Sequence, residues 1–169
     1  MKRLNLGDIL MVGWDNIPFQ EVVVGDEGVS FGTETPIRSL PEGRYDEIYA
    51  GHLLDRVPPP NTAGLLEKVQ RALAPGGKLH ATVWDFRKIV SLYMKSECDL
   101  DDVHLHYIWG SRKYGDPILH RQLWDQDKLF AALGMAHFVG ICPIDMPSFP
   151  YTDLRQEGEC GFTAYRPAC

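Results

Sequence analysis

The stretch from Tyr45 to Trp84 constrains the fold of this chain more than any other. "YDEIYA" has the apolar content of a strand buried on both faces. After "PPP", Leu65, Leu66, Val69, Ala72 and Leu73 recur at helical spacing, Asn61 or Thr62 is placed to cap the start, and "PGG" at Pro75–Gly77 stops the helix. "KLHATVW" then alternates Leu79, Ala81 and Val83 with His80, Thr82 and Trp84, the period of a strand. A strand, a helix and a second strand in that order form a crossover unit, which lays the two strands parallel in one sheet.

The remaining elements extend this pattern. "RLNL" reads as a short first strand and "EVVVG" as a β-branched run, followed by a turn-rich "DEGVSFGTETP" that is either a hairpin or a loop. Phe86, Ile89, Val90, Tyr93 and Met94 form a second helical stripe. Leu100, Val103, His104, Tyr107 and Ile108 form a third, started by Asp99. Asp125 opens a helix with Leu129, Phe130 and Leu133 inward and Gly134 as its C-terminal cap; "AHFVGIC" and "GFTAY" are the last strands. Strands alternating with helices predict an α/β fold, a Rossmann-like and mostly parallel sheet with helices on both faces. The 169 residues carry no internal repeat and amount to a single domain over 1–169.

Composition narrows the function classes. A net charge of −6 argues against a nucleic-acid partner. No apolar run approaches the roughly 20 residues that cross a bilayer, so no membrane partner is expected. "MKRLNLGD" lacks a signal peptide's apolar stretch, so a cytoplasmic location is expected. Cys98, Cys142, Cys160 and Cys169 show no Cys-x-x-Cys pair, and His104 and His106, two apart, do not share a helix face; no metal site is expected.

The block "YDEIYAGHLLDRV…LLEKVQRALAPGGKLHATVWDF" resembles the middle of class I S-adenosylmethionine-dependent methyltransferases, through Asp46, Glu47, Ile48, His52, Leu54, Asp55, Val57, Arg71, Leu73, Pro75, Gly76 and Gly77 in matching order. "HRQLWDQDKLFAALGMAHF" is similar to that family's helix before the sixth strand, and "CGFTAYRP" to its seventh, antiparallel strand. The opening "RLNLG" and "GWDNI" resemble one subgroup's first two strands. The resemblance implies S-adenosylmethionine as cofactor and methyl transfer to a small-molecule acceptor. It also places Gly7, Gly51 and His52 beside the cofactor, with Asp15 or, as its rival, Asp26 on the ribose. His52 and His120 are the candidate catalytic groups, since imidazole titrates near neutrality. The family's second histidine corresponds to Arg56. Trp14, Trp84, Trp109 and Trp124, with Tyr107 and Tyr114, are candidates to line a pocket for a flat acceptor. Each has a plainer reading as a turn glycine, a solvated loop aspartate, a structural histidine or a core aromatic.

The departures are as informative. Of the family's Gly-x-Gly-x-Gly loop Gly7 remains, with Ile9, Leu10 and Met11 where small residues are usual. Seven residues lie between Gly7 and Asp15, whereas a complete βαβ unit takes about 30. The first crossover helix is therefore expected to be missing or reduced, baring an apolar patch on one sheet face for a homodimer or a partner subunit. The alternative to an active enzyme is a methyltransferase-like domain that gave up the cofactor and serves as an interaction or regulatory module.

Overall fold

The computed structural model describes residues 1–6, 11–17, 22–25, 28–31, 35–36, 40–108, 120–150 and 157–168, with the backbone alone at 22–25, 28–31, 35–36 and 104–106. In chain order its elements are β1 (Arg3–Asn5), β2 (Asp15–Asn16), β3 (Val22–Gly25), β4 (Gly28–Phe31), β5 (Thr35–Pro36), β6 (Tyr45–Gly51) and α1 (Pro59–Ala72). There follow β7 (Leu73–Trp84), α2 (Phe86–Met94), α3 (Leu100–Asp102) running into a wider helical turn at Val103–Ile108, α4 (Gln126–Met135), β8 (Val139–Pro143) and β9 (Glu159–Tyr165). Six strands make one sheet in the order β2-β1-β6-β7-β9-β8, parallel from β2 through β7, with β9 antiparallel to both its neighbours. This is the expected Rossmann-like sheet, and strand order reverses between β1 and β6, where ligands of such sheets bind. The run from Val22 is a strand of a separate three-stranded antiparallel sheet, β3-β4-β5, so Asp15–Asn16 supplies the second strand of the main sheet. No helix among the described residues is long and apolar enough to cross a membrane.

Register sorts the side chains into two unlike faces. Leu4, Ile48, Leu79 and Ala164 stand in one row, and Ala50, Ala81 and Phe162 in the next. They form a single core with Leu65, Leu66 and Val69 of α1 and Leu129 and Leu133 of α4. Each fully buried large aliphatic there contributes about 1.5–3 kcal/mol. On the opposite face the rows are Arg3-Glu47-Lys78 and Asn5-Tyr49-His80-Thr163. The face on which an apolar patch was expected is thus polar, and its members pair with one another. Glu47 is fully buried and lies 2.9 Å from Arg3 Nε, 3.0 Å from Lys78 Nζ and 3.0 Å from His80 Nε2. Burial alone would raise the Glu47 carboxyl, but the hydrogen bonds from Lys78 and His80 outweigh it and hold it below its ordinary value. Burial keeps His80 neutral, so its Nε2–H donates to Glu47 while Nδ1, 2.8 Å away, accepts from the Thr163 hydroxyl. Phe149, from the turn after β8, packs over His80 and Tyr49 with ring centroids 5.3 and 6.0 Å away.

The link from β1 to β2 shows what replaces a crossover helix. Asn16 uses its whole carboxamide: Oδ1 accepts from Asn5 Nδ2 and from the Met11 amide, and Nδ2 donates to the Met11 and Trp14 carbonyls, each at 2.9 Å. Met11 is therefore a turn residue held by its backbone. Ile9 and Leu10 lie outside the described residues.

Several boundaries differ from the sequence reading. α1 begins at Pro59, with proline in the first turn where no amide partner is needed, rather than at a cap on Asn61 or Thr62. It ends at Ala72, so Leu73 opens β7 and the "PGG" turn becomes a bulge within that strand; Gly76 has φ +74°. On α2 Ile89 is buried, whereas Val90, Tyr93 and Met94 are exposed, and Phe130 on α4 is half exposed. Asp99 and Asp125 do cap their helices, accepting from the Asp102 and Lys128 amides at 2.8 Å. The C-terminal cap of α4 is not Gly134. The His137 amide donates to Gly134 O (3.0 Å) and the Phe138 amide to Leu133 O (3.2 Å), with His137 left-handed at φ 60°. A side chain in that conformation costs about 1–2 kcal/mol. His137→Gly is therefore expected to stabilise the fold by about 1 kcal/mol after its own entropic cost, read as a higher midpoint in urea unfolding.

Candidate functional site

The carboxyl ends of β6 and β7 and the start of β9 meet at one edge of the sheet. β6 stops at Gly51, and His52 turns the chain with φ 54° while its amide donates to Thr82 O at 2.9 Å. That turn folds the imidazole back over the polar face. Nδ1 lies 3.0 Å from Asp55 Oδ2, on the single helical turn Leu54–Arg56, and Nε2 lies 3.3 Å from Glu159 Oε1. All three side chains are buried. Burial by itself would lower the His52 pKa, but the hydrogen bonds to Asp55 and Glu159, and then their charges, overcome it and raise it to about 10. His52 is an imidazolium at neutral pH, with both ring nitrogens donating.

An aromatic wall stands beside this pair of carboxylates. Trp84, the cross-strand neighbour of Glu159, packs on His52 with ring centroids 4.9 Å apart and meets the edge of Tyr107 at 4.8 Å. Trp84, Tyr107 and His120 are each partly exposed, so the wall reaches solvent. His120 Nδ1 is 2.9 Å from the Tyr107 carbonyl and donates to it, and burial keeps the ring neutral, which leaves Nε2 as an acceptor. The segment after His120 is tied to the His52 turn, because the Arg121 and Gln122 amides both donate to the Asp55 carbonyl, at 2.7 and 3.3 Å. Asp85, just past β7, spends its carboxylate on capping α2 through the Arg87 and Lys88 amides.

The sequence-derived candidates divide accordingly. His52, Gly51, His120, Trp84 and Tyr107 come together at this edge. Gly51 is required by the protein itself, since a Cβ there would overlap the Tyr49 phenol that lies across it. Asp15 stands apart: it lies within β2, half exposed, and faces Arg44 at 4.0 Å and the Tyr45 hydroxyl, both at the start of β6. Trp14 lies under the Arg3 guanidinium, 5.3 Å from its ring, and Trp124 is buried with Lys128 over it. Gly7, Asp26, Trp109 and Tyr114 lie outside the described residues. Asp55 and Glu159 were missed as site residues. Asp55 had a local signal, an acid three positions after a histidine on a turn. Glu159 had only its oddity as an acid opening an apolar strand.

No family model matches the sequence, and neither does any curated protein. Solved structures do match. An S-adenosylmethionine-dependent methyltransferase from Methanosarcina mazei superposes with a TM-score of 0.55 at 13% identity, over 98% of this chain and 92% of that one. The apo form of the S-adenosylmethionine-dependent methyltransferase SibL gives 0.52 at 19% identity, over 81% of this chain. An O-methyltransferase family protein from Burkholderia thailandensis gives 0.50 at 10% identity, over 78% of this chain. The chain spans 36% of SibL and 33% of the Burkholderia protein. The fold is that of class I methyltransferases, as the sequence resemblance implied.

His52→Gln is expected to cost about 3–5 kcal/mol in urea unfolding, because it leaves two buried carboxylates without their cation. The sign of the pH effect follows from the raised value. With an ordinary imidazole value of 6.5 and a folded value of about 10, the stabilisation from His52 is complete below pH 6.5 and fades as pH rises through 10. Wild-type stability is expected to fall across that window, and H52Q to show a flatter profile.

Proposed function

We propose that the chain is a small S-adenosylmethionine-dependent methyltransferase, a single domain acting in the cytoplasm on a small-molecule acceptor at the His52–Glu159–His120 edge. The observation that carries this is the burial of His52, Asp55 and Glu159 together at the ligand end of a methyltransferase-type sheet. The sheet does not need charges there, and burying them is costly, which is the signature of a working site.

The described residues fit the cofactor's two ends unequally. At its sulfonium end, the carboxylate of Glu159 and the faces of Trp84 and Tyr107 suit a positive charge. At its nucleoside end, Asp15 is turned toward Arg44, and Tyr49 fills the room above Gly51. The cofactor, when bound, supplies an electrophilic methyl group, held from the β6 and β7 side. His52 positions the edge through its two ion pairs and, as an imidazolium, has no lone pair with which to take a proton. His120, neutral and fixed through Nδ1, is the group able to accept one, at Nε2.

A second reading, a domain that kept the fold and lost the cofactor, is favoured by the placement of Tyr49 and Asp15. A thermal-shift assay separates the two. At 100 times its dissociation constant a cofactor stabilises by about 2.7 kcal/mol, about 5–10 °C for a domain of this size. A shift of that order with S-adenosylmethionine or S-adenosylhomocysteine is the expected result; no shift at millimolar concentration would leave the second reading.

A further inference from the structure

We propose that Gln122 is a positioning residue: its carboxamide locks the strap of residues 120–124 onto the turn that follows His52, and so sets where His120 stands at the site. The role rests on the reading above, in which His120 accepts the proton; the placement itself needs no methyl transfer.

Gln122 is partly exposed and reaches three elements. Its Nε2 lies 3.1 Å from the Leu54 carbonyl, 2.9 Å from the Val57 carbonyl and 2.8 Å from Thr62 Oγ1. Leu54 and Val57 flank Asp55 on the turn after β6, where Asp55 is paired with His52, and Thr62 lies in α1. On its other side Oε1 accepts from Lys128 Nζ, in the first turn of α4, at 3.3 Å. Three acceptors on one side and an ammonium on the other leave the carboxamide a single orientation, because its NH2 can only donate and its oxygen can only accept.

The backbone of the strap is anchored in the same direction. The Arg121 and Gln122 amides reach the Asp55 carbonyl, Lys128 Nζ also holds the Leu123 carbonyl at 2.6 Å, and the Trp124 carbonyl accepts from the Phe86 amide at 2.8 Å. The His120 ring, by contrast, makes one hydrogen bond among the described residues, from Nδ1 to the Tyr107 carbonyl. Its place is therefore inherited from the residues that follow it, and among the described residues Gln122 is the strap side chain that bonds to the turn. The charged groups that act on His120 are Asp55, Arg56 and His52, all on that turn or just before it. Burial of the ring lowers its pKa most; Asp55 and the Tyr107 carbonyl raise it, and Arg56 and His52 lower it. A strap released from the turn exposes the ring and lets its midpoint rise toward the ordinary imidazole value of about 6.5.

The test is a proton nuclear magnetic resonance pH titration of the histidines in the whole chain, with the His120 signal assigned through His120→Asn. In Gln122→Met, which keeps the length and removes the polar atoms, the His120 midpoint is expected to rise by about half a pH unit or more. Leu133→Val, which loosens the core under α4 and leaves the strap's bonds in place, is expected to titrate as the wild type does. If Q122M fails to fold, side-chain amide exchange in the wild-type protein decides: the Gln122 NH2 is expected to exchange about tenfold or more slower than that of the exposed Gln126. An unmoved midpoint in Q122M, an equal rise in L133V, or a Gln122 amide exchanging as fast as that of Gln126 would overturn the proposal. None of these readouts involves the cofactor. A chain that binds no S-adenosylmethionine yet shows the expected titration refutes the methyltransferase reading alone, and one that binds it with an unmoved midpoint refutes the positioning role alone.

Discussion

The ladder between β6 and β7, continued into β9, is what the rest of the molecule depends on. Because side chains alternate with a period of two, one register puts Ile48, Ala50, Leu79, Ala81 and Phe162 on the face that α1 and α4 cover. The same register puts Glu47, Tyr49, His80 and Thr163 on the other face. A slip of one residue would bury Glu47 and Lys78 against leucines. The ladder also brings the ends of β6 and β7 level with the start of β9, and that is how residues distant in the chain become neighbours at one edge.

Two buried carboxylates on that polar face are treated in opposite ways. Glu47, in the middle of the sheet, is paired with Arg3 and Lys78 and accepts from the neutral His80, over which Phe149 packs. Glu159, at the edge, shares one imidazolium with Asp55.

The shortened opening of the chain is accommodated without a helix. Asn16 supplies four hydrogen bonds across the link, and the sheet face opposite α1 and α4 is built from buried polar residues that pair with each other. The apolar surface expected for a homodimer or partner subunit on that face is absent among the described residues. Tyr49 lies across Gly51 and takes up the space above it.

What the amino-acid sequence determined by itself was the layer pattern. The alternation in "KLHATVW", the helical spacing from Leu65 to Ala72 and the acids at 99 and 125 are local signals, written in residues that are neighbours along the chain. They are legible because strand and helix periods and caps act over a few residues. Even so, the left-handed cap of α4 was misplaced by three residues, since it fell on His137 rather than on Gly134. The site was half legible: His52 and His120 stood out as titratable groups after predicted elements. That His52 is a cation, that His120 is neutral, that Asp15 faces the far edge and that Glu159 joins His52 were decided by the tertiary structure alone. Charge state depends on burial and on partners drawn from β6, a turn and β9, and no window of sequence contains all three.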